Sequence, residues 1–291
     1  MQTESNLDFK PHLQLSHAVP NDPLVIRPIR AWSAINLREL WTFRELLYFL
    51  TWRDLKLRYK QTLLGATWVV MQPLMMTIIF TIFLGMVARV PSGGVPYPVF
   101  AYAGLLIWSF FSNSVSSSSA SVVANGNLIT KVYFPRLIIP LSAVCGRLVD
   151  FAVSSVILAG LLLYYRVPLT SRVIMFPVFV CLAMLLALGT GILFSGINVK
   201  YRDVSALLPV LIQLGMYVSP VIYPSTSVPA KWRMVYDLNP MAGILEGFRS
   251  SLFGGSLSPR ALIASIATSL VLLIVSLFVF RRVEQGFADV I

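Results

Sequence analysis

Of the 291 residues, 57 % are hydrophobic and only 12 % charged, with a mean hydropathy of +0.77; a soluble domain carries roughly 25 % charged residues. The net charge is +11, but the cations flank long uncharged runs and form no single basic face, which points to an anionic lipid leaflet and away from nucleic acid. Cys145 and Cys181 both fall in apolar stretches and read as small buried hydrophobes, not as a disulfide or metal pair.

Uncharged runs cover 61–88, 90–130, 151–165, 173–199, 204–230 and 261–280. About 20 helical residues cross a hydrocarbon core of about 30 Å, so every run but 151–165 is long enough to span unaided. The expected fold is an all-α integral membrane protein with six transmembrane helices, the membrane domain occupying 65–283 and a short segment following at 284–291.

Residues 1–36 are polar, with Pro11, Pro20, Pro23 and Pro28, and are expected to form a tail. They hold no apolar core followed by a small-residue cleavage site, so no secretory signal is expected, and His12 and His17 do not suggest a metal site. Residues 37–64 mix aromatic and aliphatic residues with Arg, Lys and Glu, the texture of an amphipathic interface helix, either one bent helix or two short ones. On a helix Trp52, Leu55 and Tyr59 share one face and Arg53, Lys56 and Lys60 another, while Asp54 and Arg58 stand at i,i+4 with the acid first.

The first span is expected at 66–87, with Pro73 near its start, and a Gly- and Pro-rich loop follows. The second, 99–123, turns serine-rich at 114–121; such serines either pack against neighbouring helices or line a wet cavity. The third, 141–165, holds Arg147 and Asp150 at i,i+3. They either form an intramembrane pair facing the bundle or anchor the first turns of the helix at the headgroups. The fourth, 173–197, carries Gly189, Gly191 and Gly196, which permit close helix contact. The fifth, 204–223, contains Pro209 and Pro220, and the sixth is 261–280. Between them, 224–260 is neither fully apolar nor soluble in character. Asp54, Asp150 and Asp203 are too scattered to suggest a transferase or polymerase acting on lipid-linked sugars.

The cations set the orientation. Arg38, Arg44, Arg53, Lys56, Arg58, Lys60, Lys131, Arg136, Lys200, Arg202, Arg281 and Arg282 fall on one side, against Arg89, Arg166, Arg172, Lys231, Arg233, Arg249 and Arg260 on the other. The excess places both termini in the cytoplasm, as an even number of spans requires. No phosphate-binding loop of the Gly-x-x-x-x-Gly-Lys-Ser/Thr type occurs, and Asp150 is the only carboxylate well inside an expected span, which leaves little for ion-coupled transport to work with. The chain is expected to bind no cofactor or metal and to catalyse no reaction itself.

Residues 51–68, TWRDLKLRYKQTLLGATW, lead into MQP at 71–73. This entry resembles that of type-2 ABC exporter permeases that move polysaccharides such as O-antigen, capsule and teichoic acid. Three further matches follow in the family's order: KVYFPR at 131–136, NVKYRDV at 198–204, and SPVIY at 219–223 paired with LNPM at 238–241. The resemblance covers roughly 37–285. It implies two copies of the permease working with two copies of a separate ATPase that holds ATP and Mg, and a lipid-linked polysaccharide as substrate. The same fold serves drug, lipid or other small hydrophobic cargo, and this short signature leaves that alternative open.

The family also places the ATPase contact on the amphipathic helix and the first cytoplasmic loop, which selects Arg53, Asp54, Arg58, Lys131, Tyr133, Phe134 and Arg136 here. It sets short re-entrant helices at about 224–260 as an outer gate, which selects Tyr223, Trp232, Tyr236 and Asn239. Sugars stack on aromatic faces and hydrogen-bond to small polar groups. Trp68, Gln72, Gln213 and Tyr217, on the first and fifth spans, are therefore expected to line the path.

Overall fold

In a computed structural model, the described residues are 37–60, 67–255, 257–284 and 286–287, and among them every regular element is helical. The expected tail at 1–36, the end of the expected interface helix at 61–64 and the first residues of the expected membrane domain at 65–66 lie outside the described residues. The segment expected to be an interface helix is two helices, α1 (Leu37–Thr42) and α2 (Arg44–Lys60), broken at Phe43.

The membrane helices then follow. α3 is Thr67–Val87, its last two turns widened to π geometry over Thr81–Val87. α4 is Tyr97–Ala124, with Pro98 in its first turn, where a missing N–H costs nothing. α5 is the short Gly126–Lys131, α6 is Ile138–Tyr164 and α7 is Phe176–Lys200. α8 (Val204–Val218), α9 (Ala230–Asp237), α10 (Pro240–Phe253) and α11 (Pro259–Glu284) complete the chain.

Among the described residues, five stretches are long and apolar enough to cross a membrane: α3, α4, α6, α7 with its preceding turn, and α11. The fifth expected span differs. α8 ends at Val218 and its 15 residues reach only about 22 Å. The reason is local: Pro220 forces the residue before it out of the helical region, and Ser219 is extended at φ −98°, ψ 152°.

α4 is the hub, packed chiefly on α6 and α7, and α7 in turn on α11. Small residues set these close approaches. A Cβ at Gly191 would lie 2.6 Å from the Ser118 side chain, and one at Gly189 would lie 2.9 Å from the Leu273 backbone nitrogen. Ser118 is fully buried here, so this part of the serine stretch serves packing. Buried serines on α11 return their hydroxyls to carbonyls, as Ser269 does to Ser265 at 2.6 Å, which removes the cost of a polar group in an apolar layer. One apolar cluster centres on Phe110, Phe151, Phe176 and Phe248, with ring centroids 5.0–6.3 Å apart. A second, at the opposite ends of the helices, gathers Leu50, Phe134, Ile138, Ile139, Phe280 and Phe287. The outer faces of α3 and α11 stay uncovered: 11 % and 17 % of their apolar stretches are buried.

Candidate functional site

At the α2 end of the bundle, one carboxylate organises three helices. Asp150 on α6 lies among apolar neighbours and accepts from Arg147, one turn away, at 3.1 Å. It also accepts from Arg58 and Tyr59 at the end of α2. Arg147 in turn donates through Nε and Nη2 to Ser117 Oγ on α4, at 2.8 and 2.6 Å. Burial and the neighbouring carboxylate push the Tyr59 phenol well above its ordinary pKa, so it stays a donor across the physiological range. Arg147 and Asp150 therefore pair, but within a larger set. The expected Asp54–Arg58 pair does not form: Arg58 turns to Asp150, and Asp54 takes Arg53 at 2.8 Å. An exposed i,i+4 pair is worth a few tenths of a kcal/mol, whereas a buried carboxylate left short of donors costs far more.

The residues selected for ATPase contact divide in the same way. Arg53 Nη2 donates to Asn125 Oδ1 at 2.7 Å, joining α2 to the α4–α5 elbow, close in the chain to the 131–136 loop. Within that loop Lys131 and Tyr133 point outward, Tyr133 being 85 % exposed. Phe134 is 5 % exposed and packs inside the second apolar cluster. Arg136 is also engaged within the chain: it donates to the Glu284 carbonyl and lies 5.7 Å from the Phe287 ring centroid.

At the other end, the segment after α8 is fastened from several sides. Tyr97 on α4 donates to the Ile222 carbonyl at 2.7 Å. Asn239 caps α10 by accepting from Met241 N at 3.0 Å and donates to Ser219 Oγ at 3.0 Å. Tyr223 donates to the Tyr217 carbonyl at 2.9 Å, and Tyr236 reaches the Tyr223 hydroxyl at 3.4 Å. Tyr223 and Tyr236 thus meet through their hydroxyls beside the Tyr217 backbone, while the Asn239 side chain ties α10 to Ser219. Trp232 is exposed, with Lys231 over its ring at 5.9 Å.

Sequence reasoning missed the residue that ties this region together. Arg249 on α10 counts as a surface cation by its position between spans, yet it is 7 % exposed. It donates to the carbonyls of Pro220, Val221 and Phe100 and lies 3.7 Å over the Phe100 ring. The available signal was Arg249 with Glu246 at i−3 in an otherwise uncharged α10.

Trp68 and Gln72 on α3, and Gln213 and Tyr217 on α8, are all exposed on the single chain. α3 packs on α4 and α6, and α8 on α4 and α7. Each thus presents polar and aromatic groups from an otherwise apolar open face.

The family model described as ABC-2 type transporter matches residues 45–253. The chain is 32 % identical over 248 residues to an O-antigen export system permease protein, RfbA, of Klebsiella pneumoniae, covering 85 % of this chain and 95 % of the relative. An RfbA of Myxococcus xanthus is 30 % identical over 258 residues, covering 87 % and 98 %. The polysialic acid transport protein KpsM of Escherichia coli is 23 % identical over 243 residues, covering 80 % and 92 %. Both the matched family and these near-full-length relatives give one answer: the chain belongs to the ABC-2 type transporter family.

Proposed function

We propose that two copies of this chain form the channel of an ATP-driven exporter, which moves a lipid-linked polysaccharide from the cytoplasmic face across the inner membrane. O-antigen, capsule and teichoic-acid chains are the substrate class. The observation that carries the reading is similarity over 85–87 % of the chain to permeases named for O-antigen export. A chain with no phosphate-binding loop takes its energy from a separate ATPase, which holds the ATP and Mg.

In this reading α8 is the sixth crossing, and both termini face the cytoplasm. A helix of about 22 Å suffices because its far end meets α9 and α10, acting as a short re-entrant gate, so backbone beyond Val218 is buried in protein and not in lipid. Trp68, Gln72, Gln213 and Tyr217 line the passage between the two copies, and Tyr223, Tyr236 and Asn239 hold its outer mouth. Lys131 and Tyr133 meet the ATPase directly, while Arg53, Asp54, Arg58, Phe134 and Arg136 hold α2 and the loop in place for it. Deleting the gene in its host tests the reading. A lipid-linked glycan should accumulate on the cytoplasmic side and be cleared by the restored gene; unchanged surface glycan with no internal accumulation refutes it.

A further inference from the structure

Two guanidinium groups meet on one carboxylate oxygen. Asp150 Oδ2 accepts from Arg58 Nη1 and from Arg147 Nη1, the latter at 3.1 Å, while Oδ1 accepts from the Tyr59 hydroxyl. Among the described residues, neither arginine makes an ion pair with any other acid. The two cations therefore repel each other across a carboxylate that neutralises only one of them, and each pair is weaker than it would be alone.

The two partners differ in what carries them. Arg147 stands three residues before Asp150 on α6, and Ser117 Oγ holds its Nε and Nη2 at 2.8 and 2.6 Å. It stays beside the carboxylate whatever α2 does. Arg58 and Tyr59 belong to the last turn of α2 and move with it. Leu57 and Lys60 in the same turn are exposed, so this turn is held to α6 through Arg58 and Tyr59. Further back, Leu50 is buried in the second apolar cluster and Arg53 is bonded to Asn125, which secures the middle of the helix independently.

We propose that Asp150 is an exchange latch: Arg147 competes with Arg58 for the carboxylate and keeps it paired when the last turn of α2 lifts off α6. A buried carboxylate stripped of its cation is costly, and a resident spare removes that cost from the released state. A cleft with room for about one water borders the carboxylate and is lined also by Asn113 and Ser154, so water can take the place of the Tyr59 hydroxyl on release. The latch has a sign that a purely structural cluster lacks. If Arg147 only braced the cluster, removing its charge would loosen α2. As a competitor, its removal frees Arg58 from repulsion and leaves the released state without a cation, and both effects tighten α2. The inference concerns the chain's own packing and does not depend on the cargo.

The test is amide exchange over 55–60 in the full-length, detergent-purified chain, read by mass spectrometry, because the last turn of a helix frays once its support is gone. Arg147→Gln should slow exchange there roughly ten-fold, the weight of one cation lost from the released state, and Arg58→Gln should speed it by a similar factor. Exchange over α7 should stay at the wild-type rate in both. Faster exchange over 55–60 in Arg147→Gln, or an unchanged rate, overturns the proposal, and so does a change of equal size over α7, since the effect is then global. Arg147→Met repeats the measurement should the glutamine variant not fold; if neither folds, Arg147 braces the structure and the proposal fails.

Discussion

Replacing Gly104 with alanine puts a methyl group where Arg249 and a carbonyl already stand. The new Cβ would lie 2.1 Å from Arg249 Nη2 and 2.2 Å from Val221 O, against 3.4–4 Å for ordinary contact. The carbonyl clash persists whatever the arginine does, so the backbone at Val221 has to move away from α4 and the guanidinium bound to it is displaced as well. Overpacking of this kind costs about 1–3 kcal/mol. Displacing the guanidinium also strands the carbonyls of Phe100, Pro220 and Val221, each worth about 1–3 kcal/mol when buried without a donor. Some of that is offset, because the cation regains solvent. A loss of about 3 kcal/mol remains, a drop of about 5 °C or more in the melting midpoint. Arg249→Met should cost a similar amount by the same orphaned carbonyls. In the Arg249→Met background the alanine meets a flexible thioether, so Gly104→Ala should cost about 1–2 kcal/mol less there than alone. Melting in detergent, followed by tryptophan fluorescence, reads all four corners of the cycle. If Gly104→Ala melts as wild type, or if the two effects simply add, the arginine does not hold this region as described.

Asp150→Ala leaves Arg58 and Arg147 without their shared acceptor and should cost about 3 kcal/mol of stability, with part recovered in Arg147→Ala/Asp150→Ala; equal melting of wild type and Asp150→Ala counts against the pair. Tyr133→Asp together with Lys131→Glu should abolish co-purification of the ATPase while the permease still melts as wild type, since both residues point outward. Phe134→Asp, by contrast, should lower the melting midpoint itself, through a carboxylate forced into an apolar cluster; unchanged melting would mean the side chain is not buried in the membrane-embedded protein. Single cysteines at 72, 213 and 217 in a Cys145→Ser/Cys181→Ser background should react with a water-soluble thiol reagent in the assembled exporter, and silence at all three sites alongside a silent lipid-facing control removes them from the passage.

The long spans were legible because lipid imposes a length rule that a sequence cannot hide. The expected limits 99–123 and the observed α4 differ by only a turn at most. α8 was overdrawn because the run 204–230 carries no charge, while its end is set by Pro220, a steric effect on the preceding residue that hydropathy does not register. Glycines and serines in the spans declared close packing correctly at Gly189, Gly191 and Ser118. Charged residues were harder to place. Spacing along one helix offered Asp54 to Arg58, but a buried Asp150 from another element outbid it, and nothing within α2 announces that partner. Loop position offered Arg249 to solvent, yet the three carbonyls that bind it come from α4 and from the segment after α8, far away in the chain. In the 131–136 loop, neighbouring aromatics have opposite fates. Val132 and Tyr133 are both exposed, whereas Phe134 packs into the apolar cluster with Leu50 and Phe287, a partner set from distant elements that the loop's own residues do not announce.

The surroundings of Arg249 have the form of a metal-free coordination site. Three carbonyl oxygens and a ring face make the kind of shell that would hold a monovalent cation, and the chain supplies that cation on a covalent tether. A tethered ion cannot leave, so the segment following α8 keeps its shape without depending on the surrounding salt. The shell also selects for charge and planarity. Lysine offers charge without the flat face that stacks on Phe100, and glutamine offers planarity without the charge, so neither reproduces what the guanidinium does. Replacing the side chain by alanine would leave an empty shell with its carbonyls in place, into which a free guanidinium compound fits as the missing ion.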